Sequence, residues 1–158
     1  MDSRHFRNAL GRFTTGVTII TCLDEKGQSV GLTANSFNAL SLDPPLVLWS
    51  LRHPSPQLAA FEGATHFAVN VLAQEQVELS RRFASKAEDR FDEGAWSQGK
   101  HGAPVLAGSA AVFECETASH QIAGDHRLFI GHVLACFESG LAPLVYQAGH
   151  YRLLGEVL

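Results

Sequence analysis

Apolar and polar positions change period several times along the chain, and each change marks an element. Phe6, Leu10 and Phe13 recur at helical spacing, with Ser3 as a capping residue before them and Gly16 as a stop after them. That pattern predicts a short amphipathic helix over residues 4–15. Residues 16–23 (GVTIITCL) are rich in β-branched side chains and read as a strand. A turn over residues 24–27 returns the chain through Val30 to Leu32, a hairpin. Residues 46–51 (LVLWSL) follow Pro44-Pro45 as a buried strand, 56–61 form a short helix, and 66–72 (HFAVNVL) form another strand. Helical spacing returns over residues 75–86, where Val77, Leu79 and Phe83 share a face beside Arg81-Arg82. Residues 86–102 are polar, carry Gly94, Gly99 and Gly102, and read as a long surface loop. Two long strands, 110–122 and 128–137, flank the turn 123–127 (AGDHR), and residues 143–154 close the chain as a strand bent at Gly149.

At least six strands therefore follow one another with only short helices between some of them. A doubly wound parallel sheet needs strands alternating with long helices, so it is disfavoured. An antiparallel barrel with peripheral helices is the natural solution, because closure removes the exposed edges of long apolar strands.

Composition narrows the picture further. A chain of 158 residues, 46% of them apolar and 18% charged, is one domain's worth and is too apolar for a disordered protein. No apolar run approaches the ~20 residues that span a bilayer, and the polar start (MDSRH) is not a secretory leader. A formal net charge of −4 argues against a broad nucleic-acid-binding face. Cys22, Cys115 and Cys136 are odd in number and far apart, which fits buried free thiols in a reducing, cytoplasmic setting.

Several chemistries fail on inspection. Residues 94–101 (GAWSQGKH) nearly match a phosphate-binding loop, but His101 stands where a magnesium-holding hydroxyl belongs, and no apolar strand precedes the stretch. No G-x-G-x-x-G occurs. The eight histidines show no metal-ligand spacing, and no metal site is expected.

The most informative stretch is residues 31–46 (GLTANSFNALSLDPPL), where small and hydroxylated residues crowd the end of an apolar strand. Backbone N–H groups there can approach a phosphate or a planar ring. Thr33, Ser36 and Ser41 add hydroxyls, and Asn35 offers both a donor and an acceptor to the edge of a heterocycle. This stretch resembles the flavin reductase family, the small NAD(P)H:flavin oxidoreductases that feed reduced flavin to separate monooxygenases. The matching segments come in family order over residues 4 to about 154: FRxxLGxFxTGVT from Phe6, GLTANSF from Gly31, SLDPPLV from Ser41, NVL from Asn70, RFA from Arg82, GDHxLFIGHV from Gly124 and PLVY from Pro143.

The resemblance implies a split β-barrel of the Greek-key, FMN-binding type, mainly β with short peripheral helices, assembled as a homodimer with the flavin near the subunit interface. By similarity Thr33, Ala34, Asn35 and Ser36 would meet the isoalloxazine ring and ribityl chain. Ser50, Leu51, Arg52 and Ser55 would lie along the ribityl phosphate, and Arg82 and Phe83 would close the phosphate and dimethylbenzene side. His126 would orient the nicotinamide, and Tyr151 belongs to a closing segment that matches the family loosely. The implied cofactors are FMN or FAD with NADH or NADPH as hydride donor, and the implied partner is a monooxygenase reached by diffusing reduced flavin. The alternative is a non-catalytic flavin- or haem-binding split-barrel protein without a nicotinamide site.

Overall fold

The computed structural model describes residues 1–158. In chain order its elements are α1 (Ser3–Leu10), β1 (Thr15–Gly16), β2 (Thr18–Leu23), β3 (Ser29–Ala34), β4 (Asn38–Leu42), β5 (Pro45–Arg52), α2 (Leu58–Gly63), β6 (His66–Val71), α3 (Val77–Ala84), β7 (Trp96–Gln98), β8 (Pro104–Leu106), β9 (Ala111–Ala123), β10 (His126–Glu138), β11 (Val145–Gln147) and β12 (His150–Arg152). Seven strands form one sheet in the order β3-β2-β6-β9-β10-β5-β4, and every neighbouring pair is antiparallel.

The connectivity forces that sheet to curl. β3 and β4 are its two edges, yet only residues 35–37 separate them in sequence. Laid flat, six gaps of ~4.8 Å would put the edges about 29 Å apart. The linking residues reach at most about 14 Å. The edges therefore come together across an open seam, bridged by Ser36, whose Oγ donates to the Ser50 carbonyl at 2.9 Å and accepts the Ser50 N–H at 3.0 Å. The backbone ladder itself does not close, so the sheet is a barrel split along one line rather than a sealed one.

Inward side chains from six strands fill the curl: Ile20, Leu32, Val47, Trp49, Phe67, Val69, Cys115 and Phe129, with Phe61 from α2. Trp49 stacks on Phe129 with ring centroids 4.5 Å apart and meets Phe61 edge-on at 4.9 Å. β10 passes Phe67 so closely that a Cβ on Gly131 would lie 2.4 Å from the Phe67 ring, and the β9–β10 register slips between Ile130 and Gly131. A second core on the other face of β2 joins Val17, Ile19, Leu72, Phe83, Leu106 and Leu144. Between β2, β6 and β8, fully buried Asn70 donates from Nδ2 to the Ile19 carbonyl at 3.1 Å and accepts the Leu106 N–H at 2.8 Å.

The structure corrects several sequence expectations. The first helix ends at Leu10, with Asp2 rather than Ser3 as its cap and Gly11 rather than Gly16 at its end. None of its residues is buried, and Phe6 and Leu10 stand 49% and 57% exposed. β4 is an additional strand. The polar stretch 86–102 is no simple loop: it contains β7, and Phe91 and Trp96 pack on Phe83 at 5.1 and 5.3 Å. The bent final strand is two strands, β11 and β12, turned at Ala148-Gly149 with positive φ at both. Cys22 and Cys115 are buried, but Cys136 is exposed. No helix is long and apolar enough to cross a membrane.

Candidate functional site

The seam opens into a groove of about 900 Å³. Its walls come from four places: the end of β3 with the crossing segment (Thr33, Ala34, Asn35, Ser36), the end of β5 with the turn into α2 (Ser50, Leu51, Arg52, Ser55, Gln57), the end of α3 with the segment after it (Phe83, Ser85, Lys86, Arg90), and His126 at the start of β10. Antiparallel pairing sets His126 directly opposite Arg52. Residues more than ninety positions apart in sequence thus meet in one concave site, of a size typical for small-ligand binding.

The hydroxyls at this site are mostly engaged by the protein itself. Thr33 Oγ1 donates to the Ser80 carbonyl at 2.6 Å, which fixes β3 to α3. Ser36 is committed to Ser50 across the seam. Ser55 Oγ accepts the Gln57 N–H at 3.3 Å, and Gln57 Nε2 reaches back to the Gly31 carbonyl at 3.0 Å. Gly31 has to be a glycine, because a Cβ there would lie 2.8 Å from the Phe83 ring that floors this end of the groove. Asn35 is exposed at the groove, and its amide, like the Ser50 hydroxyl, has no protein hydrogen-bond partner.

Charge at the groove is predominantly positive. Arg52, Lys86 and Arg90 line it against a single carboxylate, Glu88. Arg52 and Lys86 join no ion pair, and the Arg90 Nε is buried without a hydrogen-bond partner. His126 Nδ1 lies 2.7 Å from Asp125 Oδ1. The hydrogen bond from His126, then its charge and more weakly that of Arg52, hold the Asp125 carboxyl below its usual range. An ionised Asp125 accepts the Nδ1 proton, so the ring is held in one orientation with Nε2 left for a ligand. The turn is anchored behind it: the His53 N–H donates to the Asp125 carbonyl at 3.0 Å, and Arg127 pairs with Glu62 of α2 at 2.5 Å.

Three expected site residues stand outside the groove. Ser41 lies on the edge strand β4, paired with Leu46 four residues down β5 from the seam bridge at Ser50. The Arg82 guanidinium turns to the backbone of Asp89 and Arg90 instead of the cavity. Tyr151 shares a hydrogen bond between its hydroxyl and Ser80 Oγ at 2.8 Å and packs against Tyr146, so it ties the terminal hairpin to α3. Sequence reasoning missed Gln57, Lys86 and Arg90; the usable signal was two cations close behind the RFA segment in an otherwise acidic stretch. It also missed a second groove of about 930 Å³ on the far side of the seam. That groove runs between α1 and the β11–β12 turn, carries Arg7 and Arg12, and shares Asn35, Ser36 and Ser50 with the first.

Comparison with known proteins gives a consistent family. The pattern of the flavin reductase like domain matches residues 10–155. The FMN reductase (NADH) SmoA of Agrobacterium fabrum is 45% identical over 95% of this chain and 85% of its own length. The reductase subunit HsaB of a flavin-dependent monooxygenase from Rhodococcus jostii is 43% identical over 96% of this chain and 77% of its own. A probable flavin reductase of Rhizobium meliloti is 43% identical over 99% of this chain, but the chain spans only 51% of that protein. Among solved structures, the NADH:FAD oxidoreductase SgcE6 of Streptomyces globisporus, in complex with NAD and FAD fragments, superposes with a TM-score of 0.92 at 33% identity, covering 98% of this chain and 93% of that one.

Proposed function

The chain belongs to the flavin reductase family, and we propose that it is an NAD(P)H:flavin oxidoreductase that supplies reduced flavin to a separate monooxygenase. The observation that carries this reading is the groove at the seam, lined by an unpartnered amide and by an excess of cations. That polarity suits a molecule with a heterocyclic edge and a phosphate tail. FMN is the first choice, with FAD second, and NADH is the donor named for the SmoA relative.

A bound flavin supplies the hydride acceptor, and the reaction needs little acid–base help from the protein once the two rings stack. The work of this chain is therefore placement. Asn35 meets the ring edge with one donor and one acceptor, beside the backbone of Thr33 and Ala34. Leu51, Ser50 and Ser55 flank the ribityl chain, and Arg52 stands free at its phosphate end. Phe83, held rigid at 2% exposure, keeps water from the apolar side of the ring. His126, oriented by Asp125, positions the nicotinamide through Nε2.

The same reading includes a homodimer. The apolar stripe of α1 has no cover within the chain, and Phe137 of β10 is 64% exposed, as a second subunit would exploit. A cytoplasmic setting and transfer of flavin by diffusion complete the proposal. The test is the loss of reduced-nicotinamide absorbance with FMN or FAD and either NADH or NADPH. Turnover with at least one pairing is expected. No turnover with any of the four sinks the reductase reading and leaves a non-catalytic flavin- or haem-binding protein.

A further inference from the structure

We propose that Arg82 is a positioning residue that holds residues 85–90 as the phosphate-facing wall of the groove, and that Lys86 and Arg90 on that wall join Arg52 in meeting the phosphate. The inference rests on the flavin reading above and goes beyond it in assigning which cations act directly and which acts through another.

Arg82 sits in the last turn of α3, and its side chain is only 24% exposed. Its Nε donates to the carbonyls of Asp89 and Arg90, both at 3.2 Å, and Nη2 donates to the Asp89 carbonyl at 2.6 Å. Nη2 also lies 2.8 Å from the Asp89 carboxylate. All these contacts fall on two consecutive residues, and only a planar guanidinium fork makes them together. Residues 85–89 belong to no helix or strand. Their remaining ties are local: Ser85 Oγ donates to the Arg82 carbonyl at 2.7 Å, the Ala87 N–H donates to Ser85 Oγ at 3.1 Å, and Arg90 Nη2 donates to the Ser85 carbonyl at 2.5 Å. The far end of the segment is tied to α3 by the Arg82 fork and, one residue on, by Phe91 packed on Phe83.

The segment so held faces the groove with Ser85, Lys86, Ala87, Glu88 and Arg90. Lys86 is exposed and unpaired, and the Arg90 Nε is buried with no partner. A buried guanidinium N–H without an acceptor carries a desolvation cost that an incoming anion removes. Because Arg82 grips the Arg90 carbonyl, it fixes the direction in which the Arg90 side chain leaves the backbone.

The experiment uses two flavins that differ by the phosphate alone. FMN and riboflavin are titrated by fluorescence against the wild-type protein, Arg82→Gln, Arg82→Lys, Arg90→Gln, the Arg82→Gln/Arg90→Gln double variant, and Arg81→Gln. Arg81 serves as control because it pairs with Glu78 outside the groove. Trypsin cleavage after Lys86 is followed in parallel. Arg82→Gln is expected to lower the preference for FMN over riboflavin by on the order of tenfold or more, with riboflavin affinity within about threefold of wild type. It is also expected to speed cleavage after Lys86. Arg82→Lys keeps the ion pair to Asp89 without the fork and should recover part of the preference. Arg90→Gln should match Arg82→Gln, and the double variant should add little, since both act through one wall. Arg81→Gln should change neither readout.

Equal loss of FMN and riboflavin affinity in Arg82→Gln, or an unchanged preference, overturns the assignment, as does cleavage after Lys86 at the wild-type rate. If the wild-type protein binds neither flavin, the flavin reading fails and the phosphate role with it, while the cleavage rates still decide whether Arg82 holds the segment.

Discussion

Replacing Ser36 with alanine separates two roles that the sequence runs together. The Ser36 hydroxyl donates to one backbone group of Ser50 and accepts from the other, so the substitution removes both hydrogen bonds across the seam. Each is worth about 1 kcal/mol net. Ser50 is half-buried at the groove wall, where water reaches part of what is lost, so the expected destabilisation is about 1–2 kcal/mol. In a chain of this size that is a drop of a few degrees in Tm, or a lower urea midpoint at unchanged slope. Flavin affinity falls as a consequence of the loosened wall. Asn35→Ala is the contrasting case: the amide has no protein partner, so stability should stay within about 0.5 kcal/mol while FMN Kd rises roughly five- to tenfold. Urea unfolding and FMN fluorescence titration, run on both variants, give the two coordinates. If Ser36→Ala unfolds at the wild-type midpoint and still loses FMN, its hydroxyl is a ligand to the flavin and the seam role is refuted.

Burial pushes the Cys22 and Cys115 thiols up to about 12 from an ordinary 9.0, with lesser help from Asp24 and Glu114. The folded state keeps these protons while the unfolded state releases them, so stability is full below pH 9 and falls as pH rises toward 12. By pH 10 the loss should be on the order of 1 kcal/mol per thiol, read from urea midpoints at pH 8 and pH 10; no loss refutes it. In the native protein only Cys136 should react promptly with an aromatic disulfide reagent, and all three thiols after denaturation. Asn70→Ala strands the Leu106 N–H in the core and should cost about 3 kcal/mol by urea unfolding; a change below about 1 kcal/mol would mean water takes the vacated place. His126→Ala should slow flavin reduction at saturating NADH in stopped flow while FMN Kd stays within a few-fold, and loss of FMN binding with an unchanged reduction rate would reverse its assigned role.

The long strands were legible from their apolar, β-branched runs, and the groove segment from its crowded small and hydroxylated residues and its resemblance to a known family. β4 was not, because Leu40 and Leu42 point outward on an edge strand with no buried face to set an alternation. β7 escaped notice because its anchors, Phe91 and Trp96, are two apolar residues in a polar run, and what they pack on, Phe83, belongs to a different element. Residue type and neighbourhood pointed to Asn35 and Ser36, which line the groove, and to Arg82, which stands beside it. The direction of a hydroxyl or a guanidinium is a property of the tertiary fold, however, and that is where Thr33, Ser36 and Arg82 departed from expectation.

Asn35, Ser36 and Ser50 border both grooves, so the molecule has one partition with a chamber on each side. Two occupants that press on a common partition are coupled, and such coupling is reciprocal: the factor by which the first changes the affinity of the second equals the factor by which the second changes the affinity of the first. A partition stiffened from one side leaves less freedom to be quenched from the other, which gives positive cooperativity without any movement of the backbone. The order in which the two chambers fill then leaves the free energy of the doubly occupied state untouched and is set by rates alone.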